Sequence, residues 1–371
     1  MPQPFSRRSL LQASGAFVAS SLVSFSSSSA LAAPSAGQVI HLNLNENAWG
    51  PSSTVSPAIE RTLSEIARYG DPASAQALVE QIAAYERVTP EQVVPGEILV
   101  ELGLSLGSQG GPGGEFLYST PGYLALIDAA HRVGGVGVGV PLNASLQNDL
   151  PAITERITPR TRAVFLVNPH NPAGTVSDGA EFHRFLREVS QRVTVIVDEA
   201  YLEYTRDFAA RSAVAHVRDG ADVIVFRTFA KIHGLAGLPI GYALVPRALG
   251  KMLRKQGLGD PEALGRLNMT AASAALADTA HVGRVREAVA IERAKWHALL
   301  DRLNLKRTES HASFVFFETG RPHDQIASAF AAQGIEIARA FPPYDTWTRI
   351  TIGLPEENRR AQEVLQHILG N

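Results

Sequence analysis

The sequence predicts an α/β fold with a mostly parallel sheet, because apolar runs of strand length alternate with helix-like amphipathic segments. Three of these runs lead into polar residues that include Asn171, Asp198 and Lys231. Ligands of an open parallel sheet bind beyond the carboxyl ends of its strands, so these side chains are expected at one rim. The length of 371 residues and a further strand and helix alternation near the C-terminus predict a second, smaller α/β domain. The three runs are residues 164–167, 193–197 and 222–226.

The most informative stretch is residues 227–242, RTFAKIHGLAGLPIGY, which follows the third run. It is too rich in glycine to continue a strand, and it carries Lys231 among apolar and small residues. An isolated lysine after a strand is usually solvated. A neutral amine, however, forms a Schiff base with an aldehyde, and a carboxylate keeps a pyridine nitrogen protonated. Lys231 and Asp198 at one rim therefore predict a pyridoxal 5′-phosphate site.

With these residues in place, the chain resembles the fold-type I pyridoxal-phosphate-dependent aminotransferases, and among them the histidinol-phosphate aminotransferase branch. Each matching segment is weak alone, but together they keep the family's order from about Val39 to the C-terminus. The resemblance implies a large domain with a mostly parallel seven-stranded sheet between helices, plus a smaller α/β domain. The segments are residues 44–51, 68–71, 121–123, 168–174, 198–201, 231–242 and 349–358.

The domain order follows from the same resemblance. Residues 33–68 are expected to form an N-terminal segment that joins the small domain. Residues 69–265 form the large cofactor-binding domain, and residues 266–371 form the small C-terminal domain. The family is dimeric, so a homodimer is expected.

Residues 1–32 are predicted to be a twin-arginine signal peptide. Arg7 and Arg8 lie between a serine and a leucine pair, an apolar Ser/Ala-rich region follows, and residues 30–32, Ala-Leu-Ala, form a small-x-small cleavage site. An ordinary secretory signal or a disordered basic tail is the alternative. The prediction makes the twin-arginine export machinery a partner and places the mature protein in the periplasm or outside the cell. Cleavage removes two arginines and no acid, taking the net charge from -2 to -4.

Composition excludes several other classes of function. The net charge is -2 and no basic run occurs, which argues against nucleic-acid binding. No apolar span of the mature region is long enough to cross a membrane. The chain has no cysteine, and its 11 histidines show no metal-ligand spacing, so no metal site is predicted.

The resemblance implies roles for several cofactor-binding residues. Asn171 and Tyr201 donate to the phenolic oxygen, and Tyr123 stacks on the pyridine ring. Asp198 contacts the pyridine nitrogen, and Tyr69 reaches the phosphate of the partner subunit's cofactor. Each role has a structural alternative: an Asx turn at Asn171, a helix N-cap at Asp198 and a turn anchor at Tyr69.

The phosphate site departs from the family pattern. Thr228 occupies a phosphate-binding hydroxyl position, and Gly96 and Glu97 lie where the family has its phosphate loop. Residues 93–97 are predicted to begin a helix that runs to about residue 108. However, Val94 and Pro95 replace a Gly-Ser pair, and Pro239 replaces an arginine that binds the phosphate in most relatives. The phosphate is then bound by Thr228, backbone N–H groups and Tyr69, or by another arginine. The third alternative is that cofactor binding is weak.

Substrate recognition is assigned in the same way. Arg349 aligns with the arginine that binds the amino-acid carboxylate, for which a guanidinium fork is well suited. Asn45, Asn47 and Trp49 lie in the loop that folds over the substrate, although simple packing explains Trp49 equally well. Arg339 is a further candidate for a distal anion of the substrate.

The sequence as a whole predicts a dimeric, exported aminotransferase. It moves an amino group between an amino acid, or an amino phosphate such as histidinol phosphate, and a 2-oxo acid through a Schiff base at Lys231. The freed Lys231 then moves the proton between the substrate Cα and the cofactor. The alternatives are a lyase, decarboxylase or racemase on the same scaffold, or a non-catalytic exported binding protein derived from it.

Overall fold

A computed structural model describes residues 39–370, and the predicted signal peptide lies outside this range. The strands are β1 (Ile40–Leu42), β2 (Val93–Pro95), β3 (Glu115–Thr120), β4 (Val136–Pro141), β5 (Thr161–Val167), β6 (Thr194–Asp198), β7 (Val223–Thr228), β8 (Gly241–Leu244), β9 (Phe314–Glu318), β10 (Ile335–Ile337) and β11 (Trp347–Thr351).

The helices surround these strands. They are α1 (Val55–Thr62), α2 (Pro72–Glu86), α3 (Ile98–Ser108), α4 (Ala125–Arg132), α5 (Leu150–Glu155), α6 (Gly179–Val189), α7 (Phe208–Arg211), α8 (Val214–Arg218), α9 (Arg247–Lys255), α10 (Arg266–Ala277), α11 (Thr279–Arg302), α12 (His323–Ala331) and α13 (Pro355–Leu369). Short 3₁₀ turns span Leu63–Glu65, Pro90–Gln92 and Leu202–Tyr204. Within residues 39–370, no helix combines the length and apolar character that a membrane span needs.

The main sheet has seven strands in the order β2-β8-β7-β6-β5-β3-β4. The strands from β7 to β4 are parallel, whereas β8 runs antiparallel to both of its neighbours. The predicted α/β fold with a mostly parallel seven-stranded sheet is therefore confirmed. The central strands are buried on both faces, which explains why their sequences are continuous apolar runs rather than alternating ones.

The predicted helix start at residue 93 is wrong. Val93 and Val94 are fully buried in β2, which pairs with β8 at the edge of the sheet, and α3 begins only at Ile98. β-branched residues favour such a buried strand, and a proline at its end costs little because this edge needs no further ladder donor. Gly96 separates the strand from the helix with a φ of +134°, a conformation in which a side chain would be strained.

Two small sheets are built from the ends of the described chain. β9 and β11 pair antiparallel, while β1 pairs parallel with β10, which lies nearly 300 residues later in the sequence. This pairing anchors the segment that follows β1, and it brings that segment to the carboxyl ends of the central strands. The functional site lies at that edge.

Candidate active site

A cleft of about 380 Å³ opens at the carboxyl ends of β5, β6 and β7. Its walls come from the segment after β1, the start of α3, the segment after β10 and the strand β11. Ten of the residues predicted from sequence line it together: Asn45, Glu97, Tyr123, Asn171, Asp198, Tyr201, Thr228, Lys231, Arg339 and Arg349.

Lys231 lies three residues beyond the end of β7 and projects toward the segment after β1. Its Nζ donates a 3.2 Å hydrogen bond to the carbonyl oxygen of Leu44 and lies 5.8 Å from the centre of the Tyr201 ring. The amine is therefore held by a single backbone acceptor and an aromatic face. No carboxylate among the described residues forms an ion pair with Lys231, so the amine is available for chemistry in the cleft.

Asp198 is the last residue of β6 and is only 3% exposed. Its Oδ1 accepts a 2.9 Å hydrogen bond from the N–H of Ala200. Burial raises the pKa of Asp198 to about 7, although the Ala200 N–H and the Lys231 charge oppose the rise. A carboxylate desolvated to this degree is stabilised by a cationic partner in the cleft.

Asn45 connects the N-terminal segment to the cleft. Its Nδ2 donates a 3.0 Å hydrogen bond to the hydroxyl of Tyr201, and its backbone N–H donates to Thr351 Oγ1 at 3.0 Å. The Tyr201 ring meets the edge of Phe314 at 5.2 Å, which holds the ring in place. Leu44 and Asn45 line the cleft, whereas sequence reasoning had placed Asn45 in this loop without identifying its partner.

Arg349 lies on β11 and is 7% exposed. It donates to Asn171 Oδ1 at 2.5 Å and to the Asn43 carbonyl at 2.8 Å, and it packs 4.9 Å from the centre of the Phe341 ring. Within the described residues, its buried Nε has no hydrogen-bond partner. Burial lowers the pKa of Arg349 to about 10, and the positive charge of Arg339 adds to this. A buried guanidinium with an unused donor is suited to an anionic ligand.

Arg339 is the second arginine of the cleft. Its guanidinium lies 4.5 Å from the Phe341 ring, and Nη1 donates to the Ala340 carbonyl at 2.8 Å. The side chain is exposed, unlike that of Arg349. The Phe341 ring therefore contacts one buried and one exposed guanidinium. These contacts were not predicted from the sequence.

The side of the cleft at the sheet edge is built by Thr228 and Glu97. Thr228 pairs with Gly241 across β7 and β8, and Gly241 accepts a 2.9 Å hydrogen bond from the N–H of Gly96. Glu97 follows Gly96 and lines the cleft, with one side open to solvent. Partial loss of water raises the pKa of Glu97, and Glu101 adds to the rise, while Lys231 opposes it.

Four of the predicted residues do not line the cleft in the single chain. Gly96 contributes only its backbone. Asn47 donates to the Ile232 carbonyl at 2.9 Å, and Trp49 packs against the hydrophobic cluster that includes Ile40 and Ile232. Tyr69 is 81% exposed at a separate surface. Its predicted role involves a partner subunit and stays a prediction.

A buried ionic network lies beside the cleft and was not predicted. Arg227 is 2% exposed, and its Nη2 donates to Glu199 Oε2 at 2.9 Å. Its Nε lies 3.5 Å from Glu86, and His233 lies 3.5 Å from Glu203. Arg227 lies on β7 and Glu199 directly follows β6, but neither lines the cleft, and Glu86 is the last residue of α2. The sequence signal is that Arg227 and Glu199 each stand next to a predicted site residue, whereas no local pattern marks Glu86.

Comparison with known proteins places these features in a family. The family model for class I and II aminotransferases matches residues 37–367. A histidinol-phosphate aminotransferase from Moorella thermoacetica is 35% identical over 338 residues, covering 89% of this chain and 86% of that protein. An aromatic amino acid aminotransferase from Cutibacterium acnes is 34% identical over 327 residues, with coverage of 88% and 91%.

A solved structure has the same fold. The histidinol-phosphate aminotransferase from Sinorhizobium meliloti, in complex with pyridoxal 5′-phosphate, superposes with a TM-score of 0.81 at 24% identity. The match covers 90% of this chain and 92% of the other.

Proposed function

The chain belongs to the class I and II aminotransferase family, and we propose that it transfers an amino group between an amino acid and a 2-oxo acid with pyridoxal 5′-phosphate as cofactor. The observation that carries this proposal is the meeting of Lys231, Asp198 and Asn171 in one cleft, each delivered by the end of a neighbouring strand. An amine, a buried acid and an amide donor are the groups that a pyridoxal ring requires.

The side chains of the cleft fit the ring of this cofactor. Among the described residues the buried Asp198 carboxyl forms no ion pair, and a protonated pyridine nitrogen would supply a cation. The Tyr201 hydroxyl and the Asn171 amide would donate to the phenolic oxygen, and the Lys231 amine would meet the aldehyde. When bound, the cofactor supplies an electron sink that acidifies the Cα–H bond of the substrate.

The residues of the cleft have separate roles in this reaction. Arg349 binds the carboxylate of the amino acid through its unused donor and its guanidinium fork, which fixes the orientation of Cα. The Lys231 amine acts first as a general base that removes the proton from the substrate Cα. It then acts as a general acid that delivers this proton to the cofactor. Leu44 and Asn45 form one wall of the cleft, where the Leu44 carbonyl oxygen holds the Lys231 amine.

The pair of arginines supports an anionic amino substrate, either a dicarboxylic amino acid such as aspartate or histidinol phosphate, whose phosphate takes the place of the amino-acid carboxylate. Arg349 is buried and Arg339 is exposed beside the same Phe341 ring, so two carboxylates, or one doubly charged phosphate, find two cations. Phe341 also offers an apolar face, which supports an aromatic amino acid as the second candidate. Initial rates with histidinol phosphate, aspartate and phenylalanine, in wild type and Arg339→Gln, separate the two. A loss confined to histidinol phosphate and aspartate supports the first candidate.

The predicted export completes the proposal. The leader motif around Arg7 and Arg8 and the absence of cysteine from the chain support transport of an already folded protein to an oxidising compartment.

The absorption spectrum of the purified protein tests the proposed function. Wild type is expected to show a visible band with pyridoxal 5′-phosphate that borohydride abolishes, and Lys231→Ala is expected to lack it. Lys251→Ala, on the exposed surface of α9, is the matched control and should keep the band. A wild-type protein that takes up no cofactor would support the non-catalytic binding protein instead. Product analysis with and without a 2-oxo acid separates transamination from lyase, decarboxylase or racemase activity.

A further inference from the structure

The two sides of the cleft differ in charge, and the strand order determines which side chains lie on each side of Lys231. The strands run β2, β8, β7, β6 and β5 across the sheet. Asn171 follows β5, Asp198 ends β6, Lys231 follows β7 and Glu97 follows β2. Asn171 and Glu97 therefore lie on opposite sides of Lys231 and Asp198.

Both arginines of the cleft lie on the Asn171 side. Arg349 donates to Asn171 at 2.5 Å, and Ala338, the neighbour of Arg339, donates its N–H to the Arg349 carbonyl at 3.3 Å. On the other side, Glu97 is the one charged group among the described residues that line the cleft. Its neighbours there are Leu99, Val100, Phe226, Thr228 and Ala230.

The connectivity of the cofactor ring relates its phosphate to this polarity. The ring carbon that bears the aldehyde lies between the ring carbon that bears the phenolic oxygen and the ring carbon that bears the phosphate arm. A ring that meets Lys231, Asp198 and Asn171 therefore leaves the phosphate arm for the Glu97 side. Near neutral pH a phosphate monoester carries a charge of about −1.5 to −2, so a carboxylate on that side repels it.

Among residues 39–370, no positive side chain lines the cleft on the Glu97 side. Pro239 is exposed and does not line the cleft, and its carbonyl oxygen accepts a 2.8 Å hydrogen bond from Asn268. Thr228 offers one hydroxyl donor, whose oxygen also accepts from the Ala230 N–H at 3.1 Å, but a single neutral donor does not offset the charge of Glu97. The remaining donors are backbone N–H groups at the start of α3, which Glu97 itself precedes.

From this arrangement we propose that Glu97 makes the phosphate contribute little to binding affinity, so that the cleft holds the cofactor mainly through its pyridoxal ring. The inference rests on the proposed function, because it concerns the same cofactor. Its consequence is weak discrimination between the two forms of the cofactor: the dissociation constant of the phosphate-free form is within about tenfold of that of the phosphorylated form. A cradle of three charge-assisted hydrogen bonds would instead favour the phosphate by about 10³-fold or more.

The experiment compares dissociation constants for pyridoxal 5′-phosphate and 5′-deoxypyridoxal, measured by absorbance titration of the cofactor-free full chain. The deoxy compound lacks the phosphate and, unlike pyridoxal, has no 5′-hydroxyl to close on the aldehyde. Glu97→Gln is expected to strengthen binding of the phosphorylated form by about tenfold and to leave the deoxy form nearly unchanged. Any effect of Glu97 on the Lys231 amine is common to both ligands, so the ratio isolates the phosphate.

Glu188→Gln is the matched control, since it removes the same charge from an exposed helix position that does not line the cleft. It should leave both constants unchanged. Preference of wild type for the phosphorylated form by 10³-fold, or an unchanged ratio in Glu97→Gln, overturns the inference and leaves the proposed function standing. Binding of neither compound overturns both.

Discussion

Arg349 on β11 and Asn171 after β5 are joined by a 2.5 Å hydrogen bond between Nη1 and Oδ1, although 178 residues separate them. The contact holds the buried guanidinium beside the residue expected to face the cofactor's phenolic oxygen. If both residues have their proposed roles, this pair of side chains couples the position of the substrate carboxylate to the orientation of the cofactor. The pair also closes one side of the cleft.

The first prediction concerns this pair. Arg349→Lys keeps the charge but loses the planar fork, so it cannot hold both Asn171 and a substrate carboxylate. We expect kcat/KM to fall about 10- to 100-fold, mostly through KM, since a charge-assisted hydrogen bond contributes about 1.5–3 kcal/mol. Steady-state kinetics measure the effect. Arg359→Lys on the surface of α13 is the control, and equal kinetics for the two variants would contradict the assignment.

The second prediction follows from the pKa of Asp198. Burial raises this pKa from its ordinary 3.8 to about 7, so the folded chain binds a proton that the unfolded chain releases. The stabilisation by this proton is complete below about pH 4 and is lost as the pH rises through 7. Asp198→Asn should therefore make the cofactor-free chain more stable at pH 8, by at most about 4 kcal/mol, and abolish activity.

Urea denaturation of the cofactor-free chain at pH 5 and pH 8 measures this effect. The wild-type free energy of unfolding should fall between the two pH values by more than that of Asp198→Asn. Asp128→Asn, at an exposed position of α4, should follow wild type. Parallel pH profiles for wild type and Asp198→Asn would show that the carboxyl is ionised throughout this range.

The third prediction concerns the buried ionic network. Arg227→Met leaves Glu199 and Glu86 buried without their guanidinium partner, and we expect a loss of about 3–5 kcal/mol in the free energy of unfolding. Arg206→Met removes an exposed partner of Glu287 and should change stability little. Denaturant unfolding compares the two. Similar losses in both variants would mean that the buried network contributes no more than a surface pair.

The fourth prediction tests the expected role of Tyr69 across a dimer interface. If Tyr69 serves the partner's cofactor, a mixed dimer of Lys231→Ala and Tyr69→Phe chains contains one intact site and one doubly altered site. Random mixing should then raise activity by up to about a quarter of the wild-type value above the mean of the two variants measured separately. No recovery after mixing, with heterodimers verified by tagged chains, would show that Tyr69 acts within its own subunit or not at all.

The fifth prediction concerns export. Replacing Arg7 and Arg8 together by lysine keeps the charge of the leader but removes the twin-arginine motif, so the chain should stay in the cytoplasm of a host with that pathway. Cell fractionation followed by immunoblotting measures its location. Gln12→Ala alters the same leader outside the motif and should be exported. Normal export of the double-lysine variant would favour an ordinary secretory signal.

The sequence by itself determined the central strands of the sheet and the position of Lys231, Asp198 and Asn171 at its rim. Those features are local, since each polar residue follows an apolar run directly and the parallel order brings the strand ends together. The edge strand β2 and its neighbour β8 were not predicted from the sequence, because they are three and four residues long and contain proline or glycine.

Only the tertiary structure decided which distant groups meet in the cleft. Leu44 binds Lys231, Asn45 binds Tyr201 and Arg349 binds Asn171 across more than 150 residues, so no local pattern encodes these pairs. The same is true of Glu97, whose place opposite the two arginines follows from the pairing of β2 with β8. Long-range strand pairing sets these distances, and it thereby determines the electrostatics of the site.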